Sequence, residues 1–240
     1  MMAVQVEIWT DINCPFCYLG KRRFEEALEA FPHRDDVTVV HRSFELDPTL
    51  PRDHSDAVVP HIAEKYGISE AQAAANERGI GAQAEAMGLT YVTEGRDFGS
   101  SFDMHRLLHF ALEQGRQEQL LDALYAANFG EQRALFGDTE RLVQVAVSAG
   151  FEEQAVRAVL DDPDAYADAV RRDEAEAAQL GARGVPFFVL DRKYGVSGAQ
   201  PPEVFAQALE QAWADHAPKL EIVADADVCG PDGCAVPQRD

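Results

Sequence analysis

At 240 residues, 46% of them apolar and 26% charged, the chain suits one large domain, or a compact domain with a sizeable insertion, whose core needs no staples. A formal net charge of −21 repels phosphate backbones and anionic lipid, which argues against nucleic acid and the membrane surface as partners, and no apolar stretch approaches the length of a membrane span. The first ten residues carry no basic region and no continuous apolar run, so no signal peptide is read there and a reducing, cytoplasmic location is expected, where a close cysteine pair is more often catalytic or metal-binding than structural.

Residues 4–10 are rich in Val, Ile, Trp and Thr and alternate in polarity from Val4 to Ile8, which predicts a strand. Asp11-Ile12-Asn13 breaks the pattern, with Asn13 as the expected N-cap of a helix running from Cys14 to about Ala30. Its apolar positions are Tyr18, Leu19, Phe24, Ala27, Leu28 and Phe31, and Pro32-His33-Arg34 stops it. A second strand is predicted over Val37–Phe44, β-branched at its centre. Pro48, Pro51 and Asp53 then mark a boundary. Helices are expected near 56–66, 69–87, 103–115, 117–128, 139–149, 152–160 and 164–180, with glycines such as Gly67, Gly88 and Gly181 where the patterns stop and Asp138 as an N-cap. After Gly181 come a short apolar strand at Val185–Leu190, a turn at Asp191-Arg192-Lys193 and a hairpin partner at Tyr194–Gly198. A last helix opens at Pro201-Pro202-Glu203 and buries Val204, Phe205, Ala208, Leu209 and Ala212. The acidic, proline-bearing tail beyond Trp213 holds Cys229 and Cys234.

Cys14-Pro15-Phe16-Cys17 thus stands between a strand and the first turn of a helix. Backbone N–H groups left unpaired at that turn, and the helix dipole, favour negative charge on the first sulfur, and the thiolate is the nucleophilic form of cysteine. The two-residue spacer lets Cys17 approach from the next turn, so Cys14 can attack a disulfide and Cys17 can resolve the mixed disulfide. That sulfur must then be reachable from outside. Two other arrangements use the same residues: a pair of buried small hydrophobes, or a zinc half-site completed by Cys229 and Cys234, since tetrahedral zinc takes four ligands. Val185-Pro186, preceded by Gly184, is either a strand-start device or a cis peptide in a tight turn. With a Cys-x-x-Cys earlier in the chain the cis form is expected. A proline beside the sulfurs offers no N–H and leaves neighbouring backbone groups free to pair with an extended substrate.

Three stretches carry a family resemblance: Val6-Glu7-Ile8-Trp9-Thr10-Asp11-Ile12-Asn13-Cys14-Pro15-Phe16-Cys17, Ser101-Phe102-Asp103-Met104-His105-Arg106, and Gly181-Ala182-Arg183-Gly184-Val185-Pro186-Phe187-Phe188. Together they resemble the DsbA-like family, and more closely its cytoplasmic FrnE branch, over about residues 4–215. The Cys-x4-Cys tail resembles that of a member of the same branch. The resemblance implies an α/β, thioredoxin-like fold interrupted by a large all-helical insertion. Nucleophile, resolving cysteine and cis-proline fall on Cys14, Cys17 and Pro186. It further implies no bound cofactor; no metal site is expected, and a part in oxidative stress tolerance is. Periplasmic members carry a histidine between the cysteines where this chain has Phe16, so a cation near Cys14 is missing and strong oxidising power is not expected.

Cys229 and Cys234 flank Gly230-Pro231-Asp232-Gly233, a turn-forming sequence, and are expected to form a second redox pair. An extended chain from His216 to Cys229 spans on the order of 40 Å at about 3.3 Å per residue, enough to reach Cys14; idle thiols in a disordered tail are the bland alternative. His105, Arg106 and His109 share a helical region, and packing or a polar rim is expected of them rather than metal binding. Phe16, Tyr18 and Phe187 are candidates for an apolar apron around the sulfurs, with Phe16, Val185 and Phe187 contacting substrate. The expected organisation is a thioredoxin-like domain from 1–50 and 182–215, a helical domain at 51–181 and a tail at 216–240. The expected chemistry is dithiol–disulfide exchange on disulfide-containing or unfolded proteins, recycled by glutathione or a thioredoxin-type reductant. The competitors are a chaperone-like binding module indifferent to its cysteines, and a glutathione-dependent transferase or isomerase of the kappa type, whose members share this fold but lack the cysteine pair.

Overall fold

In a computed structural model, residues 3–216 are described, and of the tail residues 229–230 and 233–234. Strand β1, Val4–Thr10, lies at the centre of a four-stranded sheet. Helix α1, Pro15–Ala30, leads from it to β2, Val37–Ser43, which runs parallel to β1 with Val4 opposite Val37 and Thr10 opposite Ser43. After the helical stretch described below, β5, Phe187–Leu190, returns antiparallel on the other side of β1. It forms a hairpin with β6, Tyr194–Ser197. Helix α9, Pro202–His216, closes that face. The strand order is β2-β1-β5-β6.

A central strand is covered on both faces, so the side chains of β1 other than Gln5 are buried whatever their chemistry. Val4, Val6 and Ile8 face α1 and α9, where Phe24, Phe188 and Phe205 pack as a ring cluster with centroids 4.5–5.7 Å apart. Phe188 and Phe205 are at most 1% exposed, and burial of such a side chain contributes about 1.5–3 kcal/mol. Trp9, on the opposite face, donates its indole N–H to the Asp173 carbonyl at 2.8 Å. Glu7 is also buried, and the guanidinium groups of Arg42 and Arg192 both donate to its carboxylate.

Between β2 and β5 the chain forms β3, Ser55–Ala57, and helices α2, Val58–Tyr66, and α3, Glu70–Ala86. Strand β4, Asp97–Gly99, follows, and then α4, Phe102–Glu113, and α5, Gln117–Phe129. Helices α6, Thr139–Ser148, α7, Glu153–Asp161, and α8, Ala167–Gln179, complete the stretch. The α/β class and the strand–helix–strand opening agree with the sequence. The Asp138 cap is observed, accepting from the Arg141 N–H at 2.9 Å. Three details differ. Cys14 rather than Asn13 is the N-cap of α1; the Asn13 amide instead donates to the Gly99 carbonyl at 2.8 Å. The apolar strand expected at 185–190 begins only at Phe187, after a Val185–Pro186 peptide that is cis, as expected. Strands β3 and β4 form a small antiparallel sheet of their own, which no sequence pattern announced. The Asp97 carboxylate anchors it, accepting from the N–H groups of Leu135 and Phe136 at 2.8 Å each. Gly99 permits the pairing, since a Cβ there would stand 2.2 Å from the His54 carbonyl oxygen. Among the described residues no helix is long and apolar enough to cross a membrane.

Candidate active site

The last residue of β1 and the head of α1 set the two cysteines. Pro15 occupies the first turn of α1, where its missing N–H removes no helical bond, and the Cys17 N–H closes the turn on the Cys14 carbonyl at 3.0 Å. Both cysteines are free thiols and stand close enough to hydrogen-bond each other. Cys14 is 4% exposed and Cys17 1%, but Cys14 lines an open groove of about 750 Å³ and Cys17 does not. The requirement of a reachable first sulfur is therefore met by the groove rather than by a protruding side chain.

Burial pushes the Cys17 thiol well above its ordinary range, and the neighbouring Cys14 sulfur adds to the shift by hydrogen bond and by charge; the Thr10 hydroxyl and the Asp11 backbone act against it. Thr10 Oγ1 is in turn 2.5 Å from the Tyr125 hydroxyl. Burial raises that phenol as well, with Cys17 as the next contributor.

Across from the cysteines lies the loop before β5. The Cys14 thiol donates to the Val185 carbonyl at 3.5 Å, and the Gly198 N–H holds the Pro186 carbonyl at 2.8 Å. Gly20 lets α1 come this close, since a Cβ there would meet the Pro186 ring at 2.9 Å. Phe16, Leu46, Ile62, Ile80 and Phe98 supply much of the apolar lining of the groove, with Lys65, Glu77 and Arg96 as charged members. Phe16 is 47% exposed. Tyr18 does not join it, being packed on Tyr125 and Phe129 at 5.4 and 5.0 Å. Phe187 packs on Trp9 at 6.2 Å and is absent from the groove lining. Of the three rings expected around the sulfurs, the groove therefore receives Phe16 alone, with Val185 beside it.

Directly beneath the cysteine turn is a buried polar pair that sequence reasoning missed. Asp11 accepts from the N–H groups of Leu46 and Asn13 at 2.8 and 3.3 Å, and its carboxylate stands 3.5 Å from His105 Nε2. Burial works to lower the His105 pKa, but the Asp11 hydrogen bond and charge, with Glu45 and Glu174, carry it above the usual imidazole value. His109 points elsewhere, to Ser43 Oγ and Asp173, each at 3.1 Å. Arg106 is fully buried and binds Asp103 and the Ala165 carbonyl at 2.7 Å each. The expected packing role fits all three. A carboxylate directly after the central strand was the one available signal for Asp11.

In the tail, Cys229 pairs opposite Cys234 in a two-residue antiparallel ladder with Gly230 opposite Gly233. The rest of the tail, and the expected approach of its sulfurs to Cys14 or to a shared zinc, lie outside the described residues. Among the described residues, metal-ligating atoms of His54, Asp56 and His61 come within 4.8 Å of one another.

Residues 5–210 match the DSBA-like thioredoxin domain. The chain is similar to a probable DsbA oxidoreductase of Streptomyces coelicolor, with 63% identity and a TM-score of 0.87 over 98% of this chain and 100% of that one. A 2-hydroxychromene-2-carboxylate isomerase shares the fold at 15% identity and a TM-score of 0.65, covering 89% of this chain and 98% of that chain. A cytosolic disulfide reductase of Pseudomonas aeruginosa, DsbM, solved with GSH, does so at 16% identity and a TM-score of 0.60, covering 88% and 99%.

Proposed function

Because the chain belongs to the DsbA-like thioredoxin family, we propose that it is a cytoplasmic thiol–disulfide oxidoreductase acting on protein disulfides, as in the FrnE branch, with Cys14 as attacking and Cys17 as resolving sulfur. The observation that carries this reading is the pair of free thiols at the head of α1, of which the first alone opens onto a wide apolar groove. Cys14 thiolate attacks one sulfur of a substrate disulfide, forming a mixed disulfide and releasing the other as a thiolate. Cys17, deprotonated, then attacks Cys14 Sγ, so that the substrate leaves as a dithiol and Cys14–Cys17 becomes the disulfide. Two electrons pass to the substrate; the reverse sequence oxidises it, and re-attack by a second substrate thiol isomerises it. Val185 borders Cys14 and lines the groove, and the cis Pro186 next to it would shape the backbone that an extended chain meets. Phe16 offers such a chain an exposed ring.

Glutathione or a thioredoxin-type reductant would restore the dithiol, and a potential for Cys14/Cys17 well below a glutathione poise of about −250 mV would assign the protein to reduction. Cys229 and Cys234 would serve as a second pair exchanging with the first. Their backbone pairing supports this by setting the two residues opposite each other.

The test is reduction of insulin disulfides and trapping of intermediates. Cys14→Ser should abolish turnover, and Cys17→Ser should accumulate a mixed disulfide that survives gel analysis without reductant. Cys229→Ser with Cys234→Ser should slow recycling of the Cys14–Cys17 disulfide. Activity retained in Cys14→Ser would overturn the assignment. Loss of activity in that variant with undiminished suppression of aggregation would show that the groove binds unfolded chains in its own right.

A further inference from the structure

His54, Asp56 and His61 are three potential metal ligands within eight residues of chain, and none takes part in the chemistry proposed for Cys14 and Cys17. The fold brings them together by two devices. Strand β3 carries Asp56 opposite Phe98 of β4, and the Phe98 ring stacks on the His61 imidazole at 3.9 Å with 17° between the planes. His61, one turn into α2, is thereby held over the strand. The backbone at His54 is pinned from the other side. Its N–H bonds the Pro51 carbonyl at 3.0 Å, and its carbonyl occupies the space that a side chain on Gly99 would need.

The side-chain atoms are poorly satisfied. His61 Nε2 and His54 Nε2 are both shielded from solvent without a hydrogen-bond partner among the described residues. The second of these stands 2.9 Å from Asp56 Oδ2 but outside hydrogen-bond geometry. Two orphaned imidazole nitrogens beside a carboxylate are a polar deficit that calls for a bound ion or water.

We propose that His54, Asp56 and His61 form a binding site for a divalent transition-metal ion of the zinc type. Two imidazoles and one carboxylate are a borderline donor set suited to Zn²⁺, Co²⁺ or Ni²⁺ rather than to Ca²⁺ or Mg²⁺, which take oxygen ligands. Three protein ligands leave a fourth tetrahedral position for water. The ligand atoms lie within 4.8 Å of one another, against roughly 3.4 Å around a tetrahedral zinc with bonds of about 2.0–2.1 Å. The Asp56 side chain is 56% exposed and that of His54 29%, whereas His61 is held by its ring stack, so closing the gap falls to the first two. An ion held there would tie the first turns of α2 to β3, and through it to β4. Ile62 of α2 and Phe98 of β4 both line the groove in front of Cys14, so the metal would fix the wall facing the sulfurs.

The experiment titrates Zn²⁺ into the full chain with Cys14, Cys17, Cys229 and Cys234 changed to serine, so that thiolates cannot contribute. One equivalent should bind, the melting temperature should rise with zinc concentration, and His61→Gln or Asp56→Asn should weaken binding at least tenfold. Co²⁺ added to the native, reduced chain gives a second measurement that needs no substitution. Visible d–d bands should appear with amplitude lost in Asp56→Asn, an exposed position whose change spares the packing. Failure of the cysteine-free chain to bind zinc, affinity unchanged in both variants, or a sulfur-to-cobalt charge-transfer band as the sole signal would each overturn the proposal. In the first case an ordered water satisfies the two imidazoles.

Discussion

Cys17, the proposed resolving sulfur, is more deeply buried than Cys14. Cys17 is 1% exposed, faces the Thr10–Tyr125 hydroxyl pair, and holds its proton more tightly than an ordinary thiol at 9.0, first because it is buried. The folded chain therefore keeps a proton that the unfolded chain gives up as pH rises past about 9. With fewer protons bound unfolded than folded, stability declines with pH over that window, by about 1.4 kcal/mol per pH unit for one group. Urea unfolding of the reduced protein at pH 8, 9 and 10 should show this decline, and Cys17→Ala should flatten it. Equal slopes in the two proteins would remove Cys17 as the cause. Tyr125 adds a decline of the same sign, since its folded value lies above 10.0. At this scale the sequence was informative about where the cysteines stand, since the strand before them and the helix after them are both read from residue pattern. It was silent about Thr10 and Tyr125, which lie 115 residues apart and meet only through tertiary packing.

Helix α1 carries the site because it approaches the Pro186 loop closely. Alanine is favoured over glycine inside a helix by about 1 kcal/mol, yet a Cβ at Gly20 would stand 2.9 Å from the Pro186 ring and 3.4 Å from Ala199. Gly20→Ala should therefore forfeit the propensity gain, lower stability by about 1 kcal/mol as the helix is pushed off, and slow insulin reduction severalfold. Gly79→Ala in α3 meets nothing within 4 Å and should raise stability by up to about 1 kcal/mol. Thermal melts of the two variants side by side decide the matter; a stabilised and fully active Gly20→Ala would refute the close-approach argument. Several helices were legible because an apolar period ends at a glycine or begins at a cap, as α2 ends at Gly67 and α6 begins at Asp138. Strands β3 and β4 were not, since three residues are too few to show alternation and their pairing depends on Asp97 and Gly99. The Asn13 cap failed for a related reason, its amide being drawn to Gly99 by a strand that the sequence did not reveal.

At the scale of the whole molecule, the charge of −21 surrounds a groove that itself contains Lys65 and Arg96. If the global field governs encounter, a cationic disulfide peptide should react severalfold more slowly as ionic strength rises from 0.01 to 0.15 M, where the screening length falls from about 30 to about 8 Å. Oxidised glutathione, an anion, should speed up over the same range. Stopped-flow rates for the two substrates provide the check, and the opposite ordering would mean that Lys65 and Arg96 dominate. The sheet order β2-β1-β5-β6 agrees with the fold expected from the motifs at the two ends of the chain. The far wall of the groove was not foreseen, because it comes from α2 and α3, whose alanine-rich sequence reads as ordinary helix.

That far wall is joined to the rest by Arg96, whose guanidinium binds Glu77 at 2.8 Å and lies 4.7 Å from the Phe129 ring centre. The sulfurs and the far wall of the groove are thus encoded by separate stretches. A lineage could exchange residues 58–83 and alter which clients it accepts while inheriting its electron chemistry untouched.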